Sequence, residues 1–212
     1  MRSRLLELIY PRKCVFCMRL LAREETDLCT QCRTRLPYCA GKQRSIPYSA
    51  GSAAVFYYEG DVREAVLRYK FGGLTAYAAV YAEFLAKCID ENGISCDSIT
   101  WVPLSRRRLR QRGYDQARLI AEELAKRLGL PCECLLVKRR HTRPQSGISN
   151  REKRKANAAG AYAVLNAERV KGKRVLLVDD IVTTGATLAS CAGVLADAGC
   201  AAVFGAAAAT RS

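Results

Sequence analysis

The chain is expected to be an α/β protein: a mostly parallel sheet flanked by helices, with a small four-cysteine unit at the N-terminus. Three observations support this. From residue 53 onward, short apolar runs alternate with stretches of helical periodicity, the pattern of a parallel sheet covered on both faces. Two CxxC pairs stand close together within the first 42 residues. Near the C-terminus an unbroken apolar run leads into two adjacent aspartates and a Thr-Thr-Gly turn.

Residues 53–58 are aromatic and β-branched and read as a strand. Asp61 is placed to cap a helix in which Val62, Ala65, Val66 and Tyr69 recur at helical spacing. A second helix is expected over 75–90. Residues 99–102 form a short buried strand that stops at Pro103. Over 114–128 the apolar positions Ala117, Ile120, Ala121, Leu124 and Leu128 share one helical face. Residues 133–137 read as another strand. Residues 138–160 are basic, polar and without period, so a long functional loop is expected there. Residues 175–178, 187–198 and 201–207 read as strand, helix and closing strand.

The organisation is therefore a metal module over residues 1–42, a polar separator over 41–52, and an α/β domain over 53–212. The chain has 212 residues, half of them hydrophobic, which excludes a wholly disordered protein. No apolar run approaches the roughly 18 residues that cross a bilayer. Residues 1–10 lack the apolar core and cleavage site of a signal peptide. These features point to a cytoplasmic protein with no membrane span.

Of the 11 cysteines, Cys14, Cys17, Cys29 and Cys32 form the two CxxC pairs, eleven residues apart. In a reducing compartment such pairs hold metal rather than disulfides. Four thiolates suit one tetrahedral Zn²⁺ with no open position, a structural site whose binding energy folds a segment too small for its own core. Cys39 is not expected to be a ligand. The remaining cysteines read as small core or surface side chains.

The net charge is +15 and unevenly placed. Residues 101–160 carry 16 basic and 5 acidic side chains, and residues 1–42 carry 9 and 4. A concentrated positive field attracts polyanions, either nucleic acid or a polyphosphate ligand.

Residues 175–187 read Val-Leu-Leu-Val-Asp-Asp-Ile-Val-Thr-Thr-Gly-Ala-Thr. Thr183, Thr184, Gly185, Ala186 and Thr187 bring backbone N–H groups, hydroxyls and a helix N-terminus together, a setting for a phosphate dianion. Asp179 and Asp180 would be poorly placed beside a phosphate unless they serve another part of the ligand, such as ribose hydroxyls aided by Mg²⁺. The segment resembles the signature by which type I phosphoribosyltransferases bind phosphoribosyl pyrophosphate (PRPP). That resemblance implies that Asp179 and Asp180 hold the ribose hydroxyls and that 183–187 hold the 5-phosphate. The GxxxxGK[ST] pattern is absent, which argues against a P-loop NTPase. In the same fold a turn after an earlier strand cradles pyrophosphate. Ser105, Arg106, Arg107 and Arg108 follow such a strand here. The loop residues Arg143, Gln145, Arg151 and Asn157 match a flexible closing loop. His141, the only histidine, reads as a loop residue rather than a base.

Several segments follow in one order along the chain: the four cysteines followed by Leu36-Pro37, residues 58–71, Val102-Pro-Leu-Ser105, Arg112-Gly-Tyr-Asp-Gln116, then Gln145, Arg151, Asn157 and residues 179–187. With these the whole chain resembles the ComF family of competence proteins. The resemblance implies PRPP as ligand, a part in DNA uptake, contact with single-stranded DNA, and partners in the competence machinery. Two functions stay open at this point. One is a DNA-uptake factor that binds PRPP. The other is a phosphoribosyltransferase acting on an acceptor the chain does not reveal.

Overall fold

The structure is a computed structural model that describes residues 11–39, 45–139 and 160–211. In chain order its first elements are α1 (Thr30–Arg35), β1 (Gly51–Tyr57), α2 (Gly60–Phe71), α3 (Tyr77–Glu91) and β2 (Ser98–Trp101). There follow α4 (Arg106–Arg112), α5 (Gln116–Leu128), β3 (Leu136–Lys138), β4 (Tyr162–Val164), β5 (Arg174–Val182), α6 (Ala186–Asp197) and β6 (Ala202–Thr210).

Strands β1, β6, β5 and β2 lie side by side in that order, all parallel. The order places β5 in the interior of the sheet, which is why Val175 to Val178 are apolar without alternation and fully buried. Successive residues of β5 enter different cores. Leu176 and Val178 join the cluster built on α2, α3 and α5. Val175 and Leu177 join the one built on α6 and the ribbon formed by β3 and β4. That ribbon is antiparallel and stands apart from the main sheet.

The expected elements are present with shifted ends, and four details differ. Asp61 does not cap α2. Glu59 occupies the cap position without a side-chain bond, and Asp61 lies in the first turn, where its charge suits the helix N-terminus. Arg106, Arg107 and Arg108, expected in a turn after the strand, instead begin the separate helix α4, because the Ser105 hydroxyl accepts the Arg108 N–H and Gly113 ends the helix at φ 80°. Strand β5 runs on through the aspartates to Val182, since β6 extends beside it to Thr210. The described part of the polar separator is anchored at Ile46, while its neighbours Pro47 and Tyr48 are exposed. Ile46 is 4% exposed and lies in the core beneath α6.

The cysteine unit shares its core with the α/β domain. Phe16 is fully buried, with its ring centroid 5.2 Å from Phe56, 6.1 Å from Tyr81 and 6.4 Å from Phe84. Each aromatic pair adds about 0.5–1.5 kcal/mol beyond area burial. The Tyr57 N–H donates to the Pro37 carbonyl, and the Cys39 N–H to the Val55 carbonyl. Those bonds lay residues 37–39 along the outer edge of β1. Among the described residues no helix is long and apolar enough to cross a membrane.

Candidate functional site

The carboxyl ends of the four parallel strands share one edge, where open α/β sheets bind ligands. Strand β5 brings Asp179 and Asp180 to that edge. Although adjacent in sequence, their side chains leave the strand on opposite faces. The Asp180 carboxylate turns toward α2, with Oδ1 3.0 Å from Lys70 Nζ. Asp179 Oδ1 accepts the Asp180 N–H at 2.8 Å. Burial, and after it the neighbouring Asp180, hold the Asp179 carboxyl well above the usual carboxylate value of 3.8, against the pull of that hydrogen bond and of Lys70.

Beyond Val182 the chain turns through Thr183 and Thr184, both exposed, into Gly185, which is buried at φ 76° and begins α6. A positive φ favours glycine here. The Ala186 N–H reaches the Thr184 hydroxyl at 3.4 Å. Ala186 and Thr187 are exposed on the first turn of α6. Asp179, Ile181 and residues 182–188 line one small concavity, so the loop and the first aspartate face a common space.

A second turn leaves β2. The Leu104 N–H donates to Asp115 Oδ2 at 3.0 Å, while Asp115 Oδ1 accepts the Arg118 N–H and caps α5. Asp115 thereby ties the turn holding Ser105 to the start of α5. Burial raises its carboxyl, and Asp180 adds to that from nearby. Arg106 and Arg107 are exposed on α4, and Ser105 uses its hydroxyl as the cap. Arg112 donates to Gln116 Oε1 at 2.8 Å and lies 5.1 Å from the ring centroid of Phe71, which is 63% exposed.

The β3–β4 ribbon lies within electrostatic reach of Asp179. Lys138 Nζ is 2.8 Å from the Tyr162 hydroxyl and 4.8 Å from that ring's centroid. Burial, then the nearby Arg108, lowers the Lys138 ammonium, and Asp179 opposes them. Reading the sequence missed Lys70, Lys138 and Tyr162 as site residues. Lys70 lies in the stretch 58–71, and Lys138, expected to open the loop over 138–160, ends β3 instead, but no local pattern assigns these residues or Tyr162 to the site, because each acquires its place from a distant element. His141, Arg143, Gln145, Arg151 and Asn157 lie outside the described residues.

The cysteine cluster is a separate centre. The sulfurs of Cys14, Cys17, Cys29 and Cys32 all lie within 4.8 Å of one another, with Cys17 and Cys29 at 3.6 Å. Four ligands around Zn²⁺ at about 2.3 Å stand roughly 3.8 Å apart, so the donor set fits this ion. Burial raises the Cys32 thiol, and the neighbouring Cys17, Cys14 and Cys29 raise it further. A central cation reverses that crowding of negative charge. Cys29 caps α1 by accepting the Cys32 N–H at 3.4 Å. Cys39 lies outside the cluster.

The parallel sheet, with its acidic strand end and hydroxyl-rich turn onto a helix, defines a phosphoribosyltransferase-type domain beside a four-cysteine cluster whose donor set fits a metal ion. Residues 115–211 match the phosphoribosyl transferase domain family. The chain is 26% identical to Competence protein F of Haemophilus influenzae over 83% of this chain and 87% of that protein. It is 31% identical to DNA utilization protein YhgH of Salmonella typhimurium over 90% of this chain and 86% of that one. The chain belongs to the ComF family of competence proteins. Among solved structures, the PRPP amidotransferase of B. subtilis matches 63% of this chain and 26% of its own at 23% identity, with a TM-score of 0.46.

Proposed function

We propose that this chain binds PRPP, or a related ribose 5-phosphate, with Mg²⁺ at the carboxyl edge of its sheet, and that it acts in DNA uptake during natural competence. One observation carries the ligand reading: β5 delivers two carboxylates to the edge directly before an exposed Thr-Thr-Gly turn onto the N-terminus of α6. In this reading Asp179 and Asp180 serve the ribose hydroxyls. Thr183, Thr184, Gly185, Ala186 and Thr187 take the 5-phosphate. Ser105, Arg106 and Arg107 meet the pyrophosphate, whose charge Mg²⁺ neutralises. Cys14, Cys17, Cys29 and Cys32 hold a structural Zn²⁺, in a cytoplasm that keeps their thiols reduced.

The competence reading draws on the names of the relatives and on the clustered basic charge. Phe71 supports contact with single-stranded DNA. Its exposed ring lies beside Arg112 and offers a base the stacking face that residues 101–160 scarcely provide. Protein partners in the competence machinery belong to the same proposal.

Calorimetric titration of PRPP with Mg²⁺ tests the ligand reading. The wild type should bind and an Asp179→Ala, Asp180→Ala variant should not. No heat with either protein overturns it.

A second reading, phosphoribosyl transfer, is favoured by the Asp179 carboxyl, which burial raises above its usual value at the strand end that faces the phosphate turn. Transfer would form a bond from the acceptor to C1 of the ribose and break the C1–pyrophosphate bond. Pyrophosphate release that depends on an added acceptor would establish it.

A further inference from the structure

We propose that the metal in the four-cysteine cluster regulates ligand affinity at the carboxylate site, through the last turn of α2. This rests on the phosphoribose reading above. Three successive residues of that turn face three different parts of the molecule. Arg68 Nη2 donates to the carbonyls of Val15, at 3.1 Å, and Phe16, at 2.5 Å. Both carbonyls lie inside the first CxxC turn. The Tyr69 hydroxyl donates to the Gln116 carbonyl at 2.9 Å, and the Tyr69 carbonyl accepts the Tyr114 hydroxyl. Those two bonds join α2 to the start of α5, where Asp115 holds the Ser105 turn. Lys70 meets Asp180 at 3.0 Å.

A helical turn is stiff, so Arg68 and Lys70 move as one body. The buried Arg68 Nε has no partner among the described residues, which leaves the two CxxC carbonyls as the side chain's hydrogen-bond anchor there. With metal bound, the Cys14–Cys17 turn is fixed and presents both carbonyls. Without metal, four crowded thiols have no common ligand and the turn loses its constraint. Arg68 then loses a fixed acceptor pair, and Lys70 its fixed distance to Asp180. The two sites thus bias one two-state element, and coupling of this kind is reciprocal. Ligand at the carboxylates must hold the metal more tightly.

The test uses the full zinc-loaded chain and follows zinc release to a zinc-selective chromogenic chelator, with and without PRPP and Mg²⁺. PRPP should slow release about 5-fold or more in the wild type. In an Arg68→Met variant PRPP should leave the rate unchanged. Solution chelation by PRPP would act equally on both proteins, so the comparison removes it. If Arg68→Met melts without a cooperative transition, Arg68→Lys, which keeps charge but loses the fork, replaces it. Equal release rates in a wild type that binds PRPP calorimetrically overturn the coupling. Slowing that persists in the Arg68 variant overturns the route through α2. A wild type that gives no calorimetric binding overturns the phosphoribose reading itself.

Discussion

The Lys70 ammonium lies 3.0 Å from Asp180 Oδ1, with the two side chains only 15% and 12% exposed. This ion pair joins α2 to the acidic end of β5 and supplies the countercharge for two adjacent carboxylates. Removing one member of a shielded pair leaves the other uncompensated. Lys70→Met should therefore destabilise the protein by about 3 kcal/mol, read from urea denaturation at pH 7. Adding Asp180→Asn should return most of that loss in a double-mutant cycle. A loss under about 0.5 kcal/mol would mean that water already screens the pair.

Asp179 yields a pH signature. Its folded carboxyl is raised above the ordinary 3.8, so the folded state binds this proton more tightly than the unfolded chain does. The carboxylate then costs stability at pH above its folded value, and the cost fades as pH falls toward 3.8. Asp179→Asn keeps an oxygen able to accept the Asp180 N–H. It should be more stable than wild type at pH 7, with the advantage shrinking as pH drops toward 3.8. A stability difference constant across that range would contradict this account.

The metal module and the α/β core should melt together, because Phe16 packs against Phe56, Tyr81 and Phe84. Elemental analysis is expected to find one zinc per chain. A strong chelator, or Cys29→Ser, should lower the melting temperature of the whole protein in a single transition. Phe16→Ala should cost about 3–5 kcal/mol with the metal still bound. Two separate transitions in calorimetry would argue for independent units.

Gly185 isolates backbone geometry from crowding. An added Cβ would meet Ile46 no closer than 3.5 Å, an ordinary contact, but the residue sits at φ 76°. Gly185→Ala should cost about 1–2 kcal/mol through that conformation alone. It should also weaken PRPP binding, since the N–H groups of 183–187 would be re-aimed. Unchanged affinity in calorimetry would remove the loop from the binding site.

For nucleic acid, Phe71→Ala should weaken binding of a short single-stranded oligonucleotide by about 1–3 kcal/mol with little change in salt dependence. Charge reversal at Arg106 and Arg107 should instead flatten the dependence of log affinity on log salt. Fluorescence anisotropy over a salt series separates the two effects. Insensitivity of both variants would move any DNA contact to another surface.

Much of this architecture was legible because its signals are local. Apolar runs and helical spacing announced the four strands of the main sheet, β3 and the long helices, and the ends moved by only a few residues, whereas β4 was not among the expected elements. The CxxC pairs announced the cluster of four sulfurs, since a two-residue gap can bring both sulfurs of a pair to one side of a turn. The Asp-Asp-x-x-Thr-Thr-Gly segment announced the acidic strand end and the turn onto α6. The short helix α4 was not announced, because a run of arginines has no apolar face, and its formation depends on the caps at Ser105 and Gly113. Nor did any local pattern pair Lys70 with Asp180 or Lys138 with Tyr162.

By itself, then, the sequence determined the kinds of element, their order, the four thiols and the loop at the end of β5. Only the tertiary structure decided that Asp179 and Asp180 diverge to two faces, that Lys70 answers one of them, and that Arg68 reaches the carbonyls of Val15 and Phe16. The physical reason is range. Periodicity, capping and ligand spacing act within a few residues. Charge pairing and buried hydrogen bonds join groups such as Arg68 and Val15, 53 residues apart, whose meeting exists only once the sheet has brought α2 between the metal module and β5.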